Sequence, residues 1–227
     1  MHIRSCHLAG QTYVVYQSAA NCGDGFYDEA CYQFYLVRLL NSLQQCQAKL
    51  HAYCLMPSEI FLLITPTTPY AISGLLHSVN AQYERYYRQR FERDIKIWRG
   101  VGKCSLIQGT ALTIDCQKFI ERLPVTEAMV SHPGAFGWSS YCGNAFGLKH
   151  RHLSRHLAFQ EFLKISENPF RSYRDFIARP FSKPYSDYLT SKLKSGVAPA
   201  IRKQALVKPC AKKVSRVCNI SPVAGSF

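Results

Sequence analysis

The chain lacks three features that would place it in common classes of protein. No apolar run approaches the roughly 20 residues of a membrane-spanning helix, and residues 1–10 contain no apolar core of a signal peptide. None of the ten cysteines belongs to a CxxC pair, which counts against a zinc ribbon or a thioredoxin-type site. We therefore expect a cytoplasmic protein without a membrane partner, whose cysteines are mostly small buried side chains.

Acidic residues are also scarce, since 14 Asp and Glu stand against 28 Lys and Arg, a net charge of +14. Residues 1–148 carry 12 basic and 10 acidic residues, a net of +2, whereas residues 149–227 carry 16 and 4, a net of +12. The 27 Phe and Tyr residues exclude a wholly disordered chain. The sequence thus predicts a near-neutral folded body followed by a basic arm, which is typical of nucleic-acid binding.

Hydrophobic periodicity predicts an α+β protein. The predicted strands are residues 12–19, 49–55, 59–65 and 103–108, and the predicted helices are residues 28–47, 73–93, 113–123 and 157–165. The order β-α-β-β-α-β is that of a ferredoxin-like sheet with its helices on one face. Asp28 and Ser73 are the expected N-caps, and Pro124 should end or kink the third helix.

The charge and pattern changes divide the chain into three segments. Residues 1–148 form the predicted ferredoxin-like domain, and residues 149–180 a helical extension. Residues 181–227 alternate Ser, Pro and Lys with little periodicity, so we expect a basic, partly irregular C-terminal tail that orders on its ligand.

The histidine-rich segment offers the best candidate for a metal site, because His152 and His156 would share one helical face with His150 nearby. Cations are interleaved with these histidines, however, and cations beside a dication are unfavourable. The sequence therefore predicts no bound metal and no cofactor.

Several strings together resemble one family. They are HAYCLMP at 51–57, LLI at 62–64, the Arg/Tyr-rich segment 83–93, WRG at 98–100, FIERLPV at 119–125, WSSY at 138–141 and FRSYRDFI at 170–177. Their order and spacing over residues 12–178 resemble the REP-associated tyrosine transposases, which are HUH single-tyrosine, insertion-sequence-type transposases. The resemblance implies a ferredoxin-like domain that binds single-stranded or hairpin DNA. It also implies cleavage through a 5′-phosphotyrosine, with a divalent metal held by two histidines.

The chain departs from this family at its catalytic positions. The family pattern Met-Pro-Asn-His-x-His-Leu-Leu is matched by a segment with Glu59 and Phe61 in place of the two histidines. Phe119 occupies the position of the nucleophilic tyrosine, and Leu123 that of the Asn before Pro124. Phe61 has no ligand atom and Phe119 no hydroxyl, so we expect no catalysis. The alternative is an active transposase or nickase that uses Mg²⁺ or Mn²⁺ and a displaced nucleophile such as Tyr83, Tyr86 or Tyr87.

The binding residues that the sequence predicts are mostly cations. On the second long helix they are Arg85, Arg88, Arg90 and Arg93, with Tyr87 among the aromatic residues that could stack on unpaired bases. Lys103 precedes the fourth strand and could join this patch. The second cluster is Lys149, Arg151, His152 and Arg155. The third is the tail, with Lys192, Lys194, Arg202, Lys203, Lys208, Lys212, Lys213 and Arg216.

These observations favour a catalytically inactive, transposase-derived nucleic-acid-binding protein. We expect DNA rather than RNA as the partner, and a bacterial, nucleoid-associated regulator of a hairpin, a single strand or a promoter as the role. An RNA-binding regulator is a further alternative, because unpaired RNA also suits a basic surface with aromatics. Another is a protein-binding module that keeps only the fold. The sequence leaves open whether the chain forms a homo-oligomer.

Overall fold

The computed structural model describes residues 6–20, 23–148 and 152–200. The four strands are β1 (Thr12–Ser18), β2 (Ala48–Leu55), β3 (Glu59–Pro66) and β4 (Lys103–Ile107). The helices are α1 (Glu29–Gln45), α2 (Ala71–Phe91), α3 (Thr110–Thr126), α4 (Tyr141–Ala145), α5 (Leu157–Lys164), α6 (Pro169–Ala178) and α7 (Lys183–Ser195), with a 3-10 turn at Pro133–Ala135. None of the helices described is long and apolar enough to cross a membrane.

The strands form one antiparallel sheet in the order β2-β3-β1-β4. This order, with α1 after β1 and α2 after β3, confirms the predicted α+β fold and its ferredoxin-like arrangement. In the centre of the sheet Tyr16 of β1 lies opposite Phe61 of β3, and Val14 lies opposite Leu63. Because side chains alternate along a strand, Val14, Tyr16, Phe61 and Leu63 all belong to one face.

Helices cover both faces of the sheet, and the predicted single face is that of the two helices within the β-α-β-β-α-β unit. The helices of the β-α-β-β-α-β unit, α1 and α2, do share a face, where they pack on residues such as Val15 and Leu62. The other face, with Val14 and Phe61, is covered by α3 and α7. The physical reason lies in β3, whose residues 60–64 are apolar on both faces and so require cover on both.

The predicted helix ends are only partly correct. Asp28 is the N-cap of α1, and its carboxylate accepts a hydrogen bond from the Cys31 amide at 3.0 Å. The Ser73 prediction is wrong, because α2 begins at Ala71 and the Ser73 hydroxyl instead donates to the Tyr70 carbonyl. Pro124 lies inside α3 and does not end it.

The prediction of irregular structure from residue 181 onward is wrong for residues 183–195, which form α7. Leu189 and Leu193 are fully buried and pack into the core of the second face. Gly196 ends the helix with a left-handed φ of 76°, which glycine adopts without steric cost. Only these two leucines of the helix are fully buried, with Tyr185 and Tyr188 packed beside them half-buried, and Ser, Thr and Lys lie between them, so the local pattern is weak.

A buried carboxylate joins α3 to the segments that follow it. Glu121 accepts hydrogen bonds from the Ser140 hydroxyl, the Asn144 amide and the Tyr173 hydroxyl, each at 2.7 Å. Burial raises the pKa of Glu121 to about 7, against the opposing effect of these donors. Ser140 belongs to WSSY and Tyr173 to FRSYRDFI, so both strings contribute to the core of this structure.

Candidate nucleic-acid interface

The three positions that the resemblance assigned to catalysis lie together on the α3 and α7 face of the sheet. Glu59 and Phe61 are on β3, and Phe119 is on the buried side of α3. The Phe61 and Phe119 rings meet edge to face, with centroids 5.8 Å apart and an interplanar angle of 73°. Both rings are buried in one apolar cluster, so no ligand atom or hydroxyl replaces those that the family has there.

Glu59 is held by two protein groups. Its carboxylate accepts hydrogen bonds from the Tyr16 hydroxyl at 2.8 Å and from the Lys194 ammonium of α7 at 2.6 Å. Burial, followed by the hydrogen bond to Glu59, raises the pKa of Tyr16 to about 12. The Tyr16 phenol is therefore protonated at neutral pH, and the positive charge beside the Glu59 carboxylate is the Lys194 ammonium.

The tyrosines of α2 lie on the other side of the sheet from Phe119. Tyr83 and Tyr87 belong to the cluster formed with α1, and Tyr86 packs against that cluster. The Tyr83 hydroxyl donates to the Gly25 carbonyl at 2.7 Å, and burial raises the pKa of Tyr83 well above its ordinary value. A hydroxyl on α2 therefore has no path through the sheet to the Phe119 position. Within the described residues, no three His, Cys, Asp or Glu side chains are grouped as a metal site.

The four arginines predicted on α2 are in different environments. Arg90 makes two bonds to the Asp28 carboxylate, at 2.6 and 3.0 Å, and so joins the end of α2 to the N-cap of α1. Arg88 pairs with Asp94 at 2.8 Å. Arg85 and Arg93 are exposed, and neither forms an ion pair with a described residue. Two of the four guanidinium groups are therefore already paired with carboxylates of the protein.

Tyr87 does not have the environment of a base-stacking residue. Only 6% of its surface is exposed, and its ring packs against Phe91 with centroids 4.5 Å apart. Its burial contradicts the stacking role expected from the sequence, because a base needs access to the face of the ring. The helical period places Tyr87 on the α2 side that faces the core, one turn after Tyr83.

Arg93 contributes to a shallow groove beyond the end of α2. The groove is lined by Ala19, Gly23, Asp24, Tyr27, Tyr87, Arg93, Ile95, Lys96 and Ile97. Arg93 and Lys96 are exposed cations there, and Asp24 offsets part of their charge. The groove is therefore weakly basic, in contrast to the strong patch predicted for this helix.

Lys103 lies beside the C-terminal end of α7, where the fold brings three lysines to one edge. We call Lys103, Lys192 and Lys194 the lysine edge. The α carbon of Gly196 lies so close to Lys103 that an added Cβ would sit 3.2 Å from the Lys103 Cβ. The Ser105 hydroxyl donates to the Lys192 carbonyl, which ties β4 to the same end of α7.

The last described residues of the predicted tail return to α7. The amide of Ala200, the last described residue, donates to the Tyr188 hydroxyl of α7 at 2.8 Å. Residues 201–227 follow with six Lys and Arg residues and no Asp or Glu. Lys203, Lys208, Lys212 and Lys213 of the prediction therefore lie outside the described residues, as do Lys149 and Arg151 of the second cluster.

The described part of the second cluster consists of His152 and Arg155. His152 is half-buried. Arg155 is exposed, lies over the Phe170 ring at 5.2 Å and donates to the Gly147 carbonyl at 3.3 Å. His156 donates or accepts at Thr12 and accepts from the Ala158 amide, so both of its ring nitrogens have protein partners.

Similarity to known proteins is found in the fold and not in the sequence. No protein-family model matches the chain, and no curated protein matches it. A solved structure of a REP-associated tyrosine transposase bound to a REP hairpin superposes with a TM-score of 0.55 at 14% sequence identity. The match covers 69% of this chain and 93% of the transposase. The two proteins share a fold.

Sequence reasoning missed two residues, one on each side of the sheet. Tyr16 shares a sheet face with Phe61, a relation that requires the β1–β3 register. Arg38 on α1 lies over the Phe34 ring at 4.9 Å, in a groove shared with α2. Its spacing from Phe34, i to i+4, was a local signal, but only the packing of two helices makes it part of a site.

Proposed function

We propose that this protein binds nucleic acid, and DNA in preference to RNA, through a transposase-like fold that no longer performs catalysis. The observation that carries the proposal is the shared fold with a transposase solved on a DNA hairpin. The charge distribution supports it, because residues 201–227, which follow the lysines of α7 along the chain, carry six Lys and Arg residues and no Asp or Glu.

Loss of catalysis is supported by the residues on the sheet face that α3 and α7 cover. A single-tyrosine transesterification needs a nucleophile and a group that stabilises charge on the phosphate. Phe119 and Phe61 fill the corresponding positions with apolar rings, and the Glu59 carboxylate is paired with Lys194. Helix α7 covers this face with two buried leucines. The face is therefore built as packed core rather than as an open cleft.

In the proposed binding mode, Lys103 and Lys192 of the lysine edge hold the phosphate backbone together with the tail, and hairpin shape and unpaired bases provide specificity. The backbone contacts are electrostatic, so the affinity should fall steeply as salt rises. We infer a regulatory role on the bacterial nucleoid, in which the protein occupies a hairpin or a promoter. Sequencing of nucleic acid that copurifies with the protein from its own cells tests this role, since scattered reads without a common motif would contradict it.

Fluorescence anisotropy with a labelled DNA hairpin tests the binding. The Lys103→Gln/Lys192→Gln variant should bind more weakly than the wild type, and its salt slope should be smaller by about 1.4, or 0.7 for each phosphate contact on a single strand. Lys183→Gln, an exposed lysine at the other end of α7, is the matched control and should bind like the wild type. Equal affinity for the hairpin and a random duplex would refute specific recognition. Stronger competition by a matched RNA hairpin would reverse the DNA preference.

Incubation of the same hairpin with Mg²⁺ or Mn²⁺ tests the loss of catalysis. We expect no covalent protein–DNA adduct on a denaturing gel, because no phenol occupies the Phe119 position. An adduct would show that a displaced tyrosine acts as the nucleophile, and peptide mapping would identify it.

A further inference from the structure

A groove on the outer side of α1 and α2 has the chemistry of an anion-binding site. It is lined by Phe34, Arg38, Gln82, Arg85, Tyr86 and Gln89. No carboxylate is among these lining residues. Helices α1 and α2 pack on one face of the sheet and α7 on the other, so this groove and the lysine edge belong to different sides of the molecule.

The two arginines of the groove differ from their neighbours on α2. Arg38 and Arg85 are exposed, and neither pairs with a carboxylate in the described part of the chain. By contrast, Arg88 and Arg90 are each bound to an aspartate. The fold thus leaves two guanidinium groups uncompensated in one groove, while it neutralises the arginines nearest to them.

The aromatic wall of the groove positions one of its two guanidinium groups, that of Arg38. The Phe34 and Tyr86 rings are stacked, with centroids 4.0 Å apart and planes within 9° of parallel. Arg38 lies over the Phe34 ring at 4.9 Å, and Arg90 donates to the Tyr86 hydroxyl at 2.7 Å. A guanidinium already positioned by a ring loses less side-chain entropy when it binds a ligand.

The chemistry of the groove fits a phosphodiester. Guanidinium forks match the oxygens of a phosphate. Because guanidinium groups are weakly hydrated, little free energy is lost when they leave water to contact a ligand. The Gln82 amide nitrogen already donates to Ser78, which leaves its carbonyl oxygen to accept from a ligand, and the exposed Gln89 supplies a second amide. Amides of this kind pair with base edges or sugar hydroxyls. A nucleic-acid strand offers phosphates for the two guanidinium groups together with base edges and sugar hydroxyls for the two amides.

We propose that the Arg38–Arg85 groove is a second nucleic-acid contact site, which binds the phosphodiester backbone of a strand on the side of the sheet opposite the lysine edge. This inference rests on the proposed nucleic-acid binding and extends it. With contacts on two sides, the protein either wraps one strand around the edge of its sheet or holds two segments of nucleic acid together.

The test compares the full-length wild type with Arg38→Gln/Arg85→Gln by fluorescence anisotropy on a labelled hairpin with a single-stranded extension. Loss of two charged contacts should weaken binding by about tenfold or more and reduce the salt slope by about 1.4. Arg88→Gln is the matched control on the same helix, and it should stay within about twofold of the wild type because Asp94 already neutralises Arg88. Circular dichroism verifies that each variant is folded.

The outcomes separate this inference from the proposed function. If the wild type binds the hairpin and Arg38→Gln/Arg85→Gln has the same affinity and salt slope, the groove proposal is wrong and the function stands. If the wild type binds no nucleic acid, both are wrong. A fluorescent oligo-glutamate peptide that binds the wild type but not the variant, with hairpin binding unchanged, would assign the groove to an acidic protein instead. Arg38→Lys/Arg85→Lys keeps the charge but not the guanidinium fork, so it should retain the salt slope and bind more weakly than the wild type. If the Gln variant fails to fold, an unchanged affinity of this Lys variant would refute the groove proposal.

Discussion

The Glu121 carboxylate should make this protein less stable as the pH rises, and Glu121→Gln should remove that effect. Glu121 is fully buried, and its three hydrogen-bond donors are neutral groups, namely Ser140, Asn144 and Tyr173. Ionisation therefore places a charge in the core without a cation to balance it, and this raises the pKa to about 7. Glutamine has the same shape and can accept the same hydrogen bonds from Ser140 and Asn144.

The magnitude follows from the difference in pKa between the folded and unfolded chains. The ordinary pKa of a glutamate is 4.5, and the folded value is about 7. Between these values the folded protein retains a proton that the unfolded chain releases, so the free energy of unfolding falls as the pH rises. One pKa unit corresponds to about 1.4 kcal/mol, which gives a loss of about 3 kcal/mol between pH 4.5 and pH 8.

Urea denaturation at several values between pH 4.5 and pH 8 measures this effect as a difference between two proteins. Glu121→Gln should match the wild type near pH 4.5 and exceed it by about 3 kcal/mol at pH 8. Glu127→Gln makes the same chemical change at an exposed position one residue beyond α3 and should follow the wild type throughout. Parallel profiles for wild type and Glu121→Gln would refute the argument, because the buried carboxylate would then titrate as it does in the unfolded chain.

Three further substitutions test the packing on both sides of the sheet. Leu193→Ala should lower the free energy of unfolding by about 2–5 kcal/mol, measured by urea denaturation, because Leu193 of α7 is fully buried against the sheet; an unchanged value would mean that α7 is not docked. His51→Gln should unfold less readily in acid than the wild type: burial lowers the pKa of His51 to about 4 from 6.5, so the neutral folded form loses stability as the pH falls through this window. Identical acid unfolding transitions for the wild type and His51→Gln would show that protonation of His51 does not cause the loss of stability. Phe61→His should lower the free energy of unfolding by about 1–3 kcal/mol, because it buries an imidazole beside Phe119. Calorimetric titration of this variant should detect no Mn²⁺ binding. A bound Mn²⁺ would show that a single substitution restores a metal site.

Local sequence signals were sufficient for the order of the four strands and of α1, α2 and α3. The apolar run in residues 59–65 and the helical spacing in residues 28–47 predict elements that agree with β3 and α1 to within two residues. Asp28 was found as an N-cap because a capping side chain bonds to an amide only three residues away. The absence of ligand atoms at Phe61 and of a hydroxyl at Phe119 is likewise a property of single residues, and no tertiary structure changes it.

The tertiary structure decided which charges are available and which faces are covered. Arg90 and Asp28 are 62 residues apart, and Lys194 and Glu59 are 135 apart, yet each pair lies at 2.6 Å. Charge counting along the chain cannot detect such pairs, since an ion pair depends on the fold that brings two distant groups together. For the same reason the lysine edge and the docking of α7 were not predictable: Leu189 and Leu193 form an apolar stripe too short to mark a helix until the sheet provides the surface on which they are buried.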